Sequence, residues 1–228
     1  MECIIYNEFV YAFLDARNTS KQQGGYTVKI IGLTGPSGSG KSSCYEIFDK
    51  INIPCIDADE VYHNLLIPPS ECADELVSVF TPSILNIDGE VDRKKLSEIV
   101  FFDESGKTLA KLNEITHKYV IRSINCIIAQ HKRHNKNAVV IDAPLLFESG
   151  IDKTCDFTIA IISDEKTRIS RIIERDSLDS SLAKARTKAQ KPIDFYTSRA
   201  TYTVMNNLTI NDLNNKIHDI LKLENLTD

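Results

Sequence analysis

The residues best suited to chemistry lie in one glycine-rich stretch, Gly35–Ser42, which reads GPSGSGKS. It fits the pattern G-x-x-x-x-G-K-[ST], a loop that surrounds the phosphates of a nucleoside triphosphate. Glycines let the backbone N–H groups turn toward the anion, a lysine reaches the β- and γ-phosphates, and a hydroxyl can bind Mg²⁺. We therefore predict a nucleoside triphosphate site with Lys41 on the phosphates and Ser42 on the metal ion. The other loop residues predicted to bind the nucleotide are Gly35, Gly38, Ser39, Gly40 and Ser43.

Three aspartates stand at the ends of predicted strands, where ligands bind in open α/β sheets. Asp57 and Asp59 follow the predicted strand Ile53–Ile56, and Asp142 ends the predicted strand Ala138–Asp142. A kinase needs a carboxylate to orient and deprotonate the acceptor hydroxyl, and another commonly holds Mg²⁺ or its water. We predict Asp59 for the first task and Asp142 for the second. Whether one or both of the first two aspartates cap the next helix stays open.

Arg168, Arg171 and Arg175 recur at spacings of three and four, which places them on one face of a helix. Such cations repel one another mildly unless an anion lies between them, and a phosphoryl group in transfer is such an anion. We favour a lid that consists of about residues 165–192 and carries these arginines. The alternative is a solvated helix face on which acidic neighbours neutralise the arginines: Glu165, Glu174 and Asp176.

These residues need a frame of strands and helices to position them. A predicted strand, Val28–Thr34, leads into the glycine-rich loop, and helical spacing of apolar residues follows it. Another predicted strand, Phe157–Ile162, leads to an N-cap at Asp164. Strands alternating with helices predict an α/β fold of the P-loop NTPase class, with a parallel β-sheet core flanked by helices. The eighty or so residues before Ala138 are too long for an ordinary crossover and show helical periodicity, which predicts an inserted helical subdomain.

Composition limits the classes of partner. The 228 residues carry 27 basic and 32 acidic side chains, so no global positive field is available to hold nucleic acid. The six cysteines show no metal-ligand spacing and are interpreted as reduced thiols. No stretch has the length and apolarity of a membrane span, and residues 1–25 lack the basic start of a secretory signal. We expect a cytoplasmic protein whose first 25 residues are a helical extension packed on the domain. Its oligomeric state stays open.

In this order, the motifs resemble those of the dephospho-CoA kinase family. The resemblance runs from Ile31 to about Asn207, and its most specific parts are the segments 56–59 (IDAD) and 142–148 (DAPLLFE). It implies transfer of the ATP γ-phosphoryl group to the ribose 3′-hydroxyl of dephospho-CoA, giving CoA and ADP. The implied fold has a nucleotide-kinase core at 26–59 and 136–228. A helical CoA-binding insertion would occupy about 60–135, together with the mobile lid.

The resemblance also implies roles by position. Asp59 would be the base on the 3′-hydroxyl, Lys41 would stabilise the β- and γ-phosphates, and Arg171 would stabilise the transferring group. On the ATP side it adds Arg175, and Asn206 near the adenine. The residues implied to bind the acceptor are Asp57, Arg93, His117 and Glu148.

The chain departs from the family pattern at three internal places. Pro36-Ser37 replaces the usual Gly-Ile, a variant also seen in guanylate and uridine kinases. Lys118 stands where a proline normally follows the histidine, which is expected to loosen or re-aim a helix start, and Thr201 replaces an aspartate. Two other functions stay open: a nucleoside or nucleoside-monophosphate kinase, and a non-catalytic ATP-binding switch.

Overall fold

The structure, a computed structural model, describes residues 28–103 and 105–227. The predicted N-terminal extension, residues 1–25, lies outside the described residues. The chain divides into two compact units. Residues 57–129 form one, called the helical unit below, and the described residues before and after them form the other, called the sheet unit.

The strands are β1 Lys29–Thr34, β2 Cys55–Asp57, β3 Ala138–Asp142, β4 Phe157–Ile162 and β5 Tyr202–Met205, paired in the order β2-β3-β1-β4-β5. The pairings of β1 with β3, β1 with β4 and β4 with β5 are parallel. The predicted α/β class is therefore confirmed. β2 begins two residues later than predicted, because the Ile53 N–H still closes the preceding helix by donating to the Phe48 carbonyl at 2.9 Å.

The helices follow the chain as α1 Ser43–Lys50, α2 Ala58–Leu65, α3 Glu71–Phe80, α4 Arg93–Phe102, α5 Lys107–Arg133, α6 Glu165–Asp176, α7 Ser180–Lys188, α8 Ile193–Thr197 and α9 Ile210–Leu223. Short 3₁₀ turns lie at Pro82–Ile84 and Ile151–Thr154. Among the described residues, none of these helices has the length and apolarity needed to cross a membrane.

Both faces of the sheet are covered by apolar side chains, as a parallel sheet requires. On one face, Phe48 of α1 and Ile217 of α9 pack with the buried residues of β1 and β4. On the other, Tyr196 of α8 packs against the outer side of β4 together with Phe147. The sheet is thus packed on both faces beneath its carboxyl edge, where the glycine-rich loop begins.

The helical unit has its own core, formed where α3 and α4 pack on the first half of α5 around Leu76, Leu96 and Ile115. α5 runs unbroken for 27 residues, so the expectation of a helix start near Lys118 is wrong. A lysine, unlike a proline, keeps its N–H for the helix. Its ammonium also pairs with Glu75 of α3 at 2.6 Å, and the same carboxylate oxygen accepts the Tyr119 hydroxyl at 2.7 Å.

Candidate active site

The glycine-rich loop leaves β1 in a conformation that only glycines tolerate. Gly35, Gly38 and Gly40 have φ of +143°, +78° and +93°. A Cβ on these glycines would lie 2.0 Å from the Ile161 carbonyl oxygen, 2.5 Å from the Arg168 carbonyl oxygen and 2.3 Å from the Asn206 amide nitrogen, respectively. The sequence therefore needs glycine at all three positions both for backbone angle and for space.

The loop presents backbone donors to an anion. Within the described residues, the N–H groups of Gly38, Gly40, Lys41 and Ser42 donate no hydrogen bond. Ser42 stands at the N-cap of α1, but its side chain makes no capping bond. The Ser39 hydroxyl is buried and has no hydrogen-bond partner in the described part of the chain. Unpaired donors at a helix N-terminus form a site suited to phosphate.

Lys41 belongs to this loop, and Asp142 ends the strand beside β1. The Lys41 ammonium donates to the Gly35 carbonyl at 3.1 Å, across the mouth of the loop. Asp142 ends β3 in register with Leu33 of β1, two residues before Gly35, and is only 8% exposed. Its Oδ2 accepts the hydroxyl of Tyr45 from the first turn of α1 at 2.9 Å. A carboxylate is thus held at the start of the helix that carries Ser42.

The donor set fits magnesium bound together with phosphates. No group of three His, Cys, Asp or Glu side chains that could hold a metal occurs among residues 28–103 and 105–227. Mg²⁺ is usually bound by one or two carboxylates plus substrate phosphates and water, rather than by an all-protein cage. One aspartate and one serine hydroxyl beside the loop meet that requirement.

Two thiols lie near Asp142. Burial, with the Asp142 charge as the next cause, raises the pKa of Cys44 to about 12 and that of Cys55 to about 12. Both therefore favour the protonated form at neutral pH, which makes them weak nucleophiles. The chemistry of this edge belongs to the lysine, the aspartate and the loop.

Arg171 of α6 lies on the phosphate loop. Its Nη1 donates to the Ser39 carbonyl at 3.2 Å, the Gly38 carbonyl at 3.4 Å and the Ser163 hydroxyl at 3.1 Å. Arg175, one turn later, pairs with the adjacent Asp176 at 2.8 Å. The acidic neutralisation considered from the sequence thus holds for Arg175. None of the ion pairs found among the described residues includes Arg171.

Asn206 hydrogen-bonds to the loop. Its side-chain amide nitrogen donates to the Ser39 carbonyl at 2.8 Å, and its main-chain carbonyl accepts the Ser163 hydroxyl at 2.7 Å. Thr201 replaces the family's aspartate and serves β4: its hydroxyl accepts the Thr158 N–H at 3.1 Å, while the Thr158 hydroxyl accepts the Thr201 N–H at 3.0 Å. The threonine at position 201 is therefore linked to β4 by two hydrogen bonds.

Asp57 and Asp59 have different places at the start of α2. Asp57 is the N-cap, and its Oδ1 accepts the N–H groups of Asp59 at 2.8 Å and Glu60 at 3.1 Å. Asp59, in the first turn, is exposed. Of the alternatives left open by the sequence, capping by Asp57 is thus observed. A role of Asp57 in acceptor binding stays a prediction.

The other predicted acceptor residues lie in both units. Arg93 is exposed at the start of α4. Burial raises the pKa of the Tyr62 phenol, and the positive charge of Arg93 partly offsets that rise. His117 lies half-buried in the middle of α5, where burial lowers its pKa and favours the neutral imidazole. Glu148 is exposed in the sheet unit, and its charge adds to the burial that raises the pKa of Tyr196. The described contacts leave their joint role untested.

Two further residues contact the loop: Arg168, which the sequence placed among the arginines of the lid, and Gln190, to which it gave no site role. Both hydrogen-bond to the Ser37 peptide. The signal that pointed to Arg171 included Arg168 three positions earlier, but spacing on a helix cannot show that the side chain is buried. Gln190 gave no comparable signal, because it lies 153 positions from its partner.

A parallel sheet whose central strand enters a glycine cradle at a helix N-terminus defines a P-loop nucleotide-binding protein. An arginine laid on that cradle is typical of the phosphotransferases of this class. Comparison with known proteins gives the family. The sequence profile described as dephospho-CoA kinase matches residues 29–212, and the chain belongs to this family.

Known relatives span nearly the same length. The chain is 39% identical over 193 residues to a dephospho-CoA kinase of Lactobacillus johnsonii, covering 85% of this chain and 96% of that one. It is 37% identical over 191 residues to one of Fusobacterium nucleatum, covering 84% and 96%. The solved structure of a dephospho-CoA kinase from Campylobacter jejuni superimposes with a TM-score of 0.62 at 26% identity, covering 86% and 96%.

Proposed function

We propose that this chain transfers the γ-phosphoryl group of ATP to the ribose 3′-hydroxyl of dephospho-CoA, giving CoA and ADP, the final step of CoA synthesis. The observation that carries the proposal is the convergence of Lys41 and Arg171 on one glycine cradle. Family membership supports the choice of acceptor. The expected absence of nucleic-acid and membrane partners and the expected cytoplasmic location stay predictions.

On the donor side, the loop N–H groups bind the phosphates and Lys41 exchanges the Gly35 carbonyl for the β- and γ-phosphate oxygens. Arg171 stabilises the charge of the transferring group. Its observed acceptors are neutral oxygens, and an anionic phosphate oxygen is a stronger acceptor than any of them. Donors aimed at charge that develops during transfer lower the barrier more than they tighten ground-state binding.

Ser42 and Asp142 would hold the magnesium ion, directly or through its water. A metal ion held there would supply positive charge to offset the charge of the phosphates. Tyr45 donates to Asp142 and so fixes one carboxylate oxygen. Arg175 and Asn206 complete the proposed ATP site.

On the acceptor side, Asp59 is the proposed base, and the Asp57 cap fixes the helix turn that presents it. Arg93, His117 and Glu148 are proposed to shape the pocket. The helical unit, residues 57–129, has nearly the same bounds as the predicted insertion at about 60–135 and is the proposed CoA-binding part. Residues 165–192 are the proposed lid. The base needs to accept one proton from the 3′-hydroxyl as the oxygen attacks the γ-phosphorus and ADP leaves.

An acceptor panel tests the proposal. ADP release would be measured by a coupled assay with dephospho-CoA, AMP, GMP, CMP or uridine as acceptor, and with Lys41→Met as the inactive control. We expect turnover with dephospho-CoA and little with the others. Turnover restricted to a nucleoside or a monophosphate would replace the proposal with the kinase alternative, and nucleotide binding without any transfer would support the switch.

Asp59→Asn isolates the proposed base. We expect ATP affinity within about threefold of the wild type and a kcat lower by roughly 10²–10⁴-fold, the range for general-base catalysis. Glu60→Gln is the matched control, since it removes a neighbouring exposed carboxylate from the same helical turn. Wild-type kcat in Asp59→Asn would remove Asp59 from the role of base.

A further inference from the structure

The Ser37 peptide groups are held on two sides by side chains from the segment that follows β4. The Ser37 N–H donates to Gln190 Oε1 at 3.1 Å, and the Ser37 carbonyl accepts from Arg168 Nε at 3.1 Å. Arg168 Nη2 donates to the same Gln190 oxygen at 2.8 Å. These three hydrogen bonds form a closed ring that joins the first turn of α6, the residue shortly after α7 and the phosphate loop.

The guanidinium in this ring is buried without a carboxylate partner. Arg168 is 4% exposed, and the ion pairs found in the described part of the chain do not include it. Glu165, in the same helical turn, acts on it only as a weaker, longer-range charge. Burying a cation against neutral oxygens costs free energy, and burying an apolar side chain at the same place would not. The arginine at this position is therefore expected to do more than fill space.

Peptide geometry identifies that task. The Ser37 carbonyl and the Gly38 N–H belong to one planar trans peptide, so they point in opposite directions. Holding the carbonyl on Arg168 therefore fixes the direction of the Gly38 N–H, one of the loop donors without a partner among the described residues. Gly38 also packs closely on the Arg168 backbone, where a Cβ would lie 2.5 Å from the carbonyl oxygen. The side chain and the backbone of one residue thus determine the course of the loop.

We propose that Arg168 and Gln190 are positioning residues, which fix the Ser37 peptides so that the loop N–H groups are preorganised for nucleotide phosphate. The inference rests on the proposed function only in taking the bound ligand to be a nucleoside di- or triphosphate. Neither side chain needs to touch the nucleotide. Through Gln190, the same ring joins the end of the proposed lid to its beginning and to the loop.

The test is nucleotide binding measured by calorimetry with ADP and with a non-hydrolysable ATP analogue, in the absence of acceptor. Arg168→Lys, Gln190→Met and the double variant would be compared with the wild type. We expect each single variant to weaken binding roughly ten- to hundredfold, the range for hydrogen bonds to charged groups. Arg168→Lys should weaken binding even though it keeps the positive charge, because one ammonium cannot replace a guanidinium that donates to two acceptors. The double variant should be no worse than the weaker single, since all three break one ring.

Controls separate positioning from a general loss of structure. Lys166→Ala changes an exposed residue of the same helix and should bind nucleotide as the wild type does. Gln190→Met should melt within a few degrees of the wild type without nucleotide, and should raise the KM for ATP more than it lowers kcat. If Arg168→Lys fails to fold, Gln190→Met alone decides.

Two results would overturn the inference. Retained affinity in both Arg168→Lys and Gln190→Met would show that the ring does not position the loop for nucleotide. Additive losses in the double variant would show two independent roles. A wild-type chain that binds nucleotide but leaves dephospho-CoA unchanged would instead refute the proposed function, and the calorimetric comparison would still be valid.

Discussion

Gly40 lies where the phosphate loop meets the Asn206 side chain. At φ +93°, a Cβ there would lie 2.3 Å from the amide nitrogen that holds the Ser39 carbonyl. We expect Gly40→Ala to weaken nucleotide binding at least tenfold, because backbone strain of about 1–3 kcal/mol is added to the loss of that hydrogen bond. Calorimetric titration with ADP measures the effect.

Gly89→Ala is the matched control for backbone strain. Gly89, in the helical unit, also has a positive φ, +80°, but nothing lies within 4 Å of the position of its Cβ. It should lose about 1 kcal/mol of unfolding free energy and no nucleotide affinity. Equal losses of affinity in the two variants would mean that Gly40 acts through stability alone.

Arg171→Ala should lower kcat roughly a hundredfold, with a smaller rise in the KM for ATP, because its proposed contact strengthens in the transition state. Arg171→Lys should recover part of the loss, since charge is kept while the guanidinium geometry is not. Steady-state kinetics at varied ATP would separate the two constants. A raised KM with unchanged kcat would contradict the assignment.

At this scale, sequence reasoning reaches residues whose type and local spacing are diagnostic. Gly35–Ser42 fits such a pattern, and the spacing of the arginines led to Arg171, which the structure places on the loop. The sequence left the cap at α2 undecided, because Asp57 and Asp59 have equal chemical claims to it. The Arg168–Gln190 ring was out of reach, since it depends on burial and on contacts between residues distant along the chain.

Among the helices, α5 is joined to α3 by an ion pair between Lys118 and Glu75. Glu75 accepts from Lys118 and Tyr119, and the hydrogen bond from Lys118 is the first cause that holds the pKa of Glu75 below its usual value. We expect Glu75→Gln to lower the unfolding free energy at pH 7 by about 0.5–1 kcal/mol, a modest figure because the two charged side chains remain 32% and 38% exposed.

The same pair gives a pH dependence with a defined sign. A carboxyl whose folded-state pKa is lowered contributes stability above its unfolded value of 4.5 and loses it as the pH falls through the folded value. Urea unfolding of wild type and Glu75→Gln should therefore differ at pH 7, and the difference should shrink as the pH falls below 4.5. Glu114→Gln, which breaks the more exposed Lys111–Glu114 pair within α5, should change stability little at any of these pH values.

The apolar pattern of α5 predicted helix but not one continuous helix. Leu112 and Ile115 pack with the core of the helical unit, whereas Ile124 and Ile128 are buried further along. A long helix meets different neighbours along its length, so its buried face does not form a single stripe. The strands β3 and β4 match their predicted bounds, because short runs of buried apolar residues end sharply at polar ones.

For the whole molecule, the two units should respond to different ligands. Nucleotide binding gives hydrogen-bond partners to the loop N–H groups of the sheet unit, and exchange slows where amides gain protection. We expect ADP to slow hydrogen–deuterium exchange in residues 35–45 and 163–171. Dephospho-CoA should add protection within residues 57–129.

Mass spectrometry of peptic peptides would resolve the two sets of amides. The control is Lys41→Met, which should lose the ADP response and keep the dephospho-CoA response. Protection of residues 57–129 by ADP alone, equal to that of the loop, would contradict separate ligand responses.

The burial of most of the described thiols allows a fluorescent dye to be attached selectively at Cys126. At pH 7, a thiol with a pKa of about 11 or 12, as at Cys72, Cys44 and Cys55, is thiolate in roughly one molecule in 10⁴ or fewer. Maleimide dyes react with thiolates, so these sites should label slowly, whereas Cys126 is exposed on α5. With Cys3 and the half-buried Cys155 replaced by serine, one fluorophore would report on the helical unit during turnover, with no residue of the phosphate loop altered.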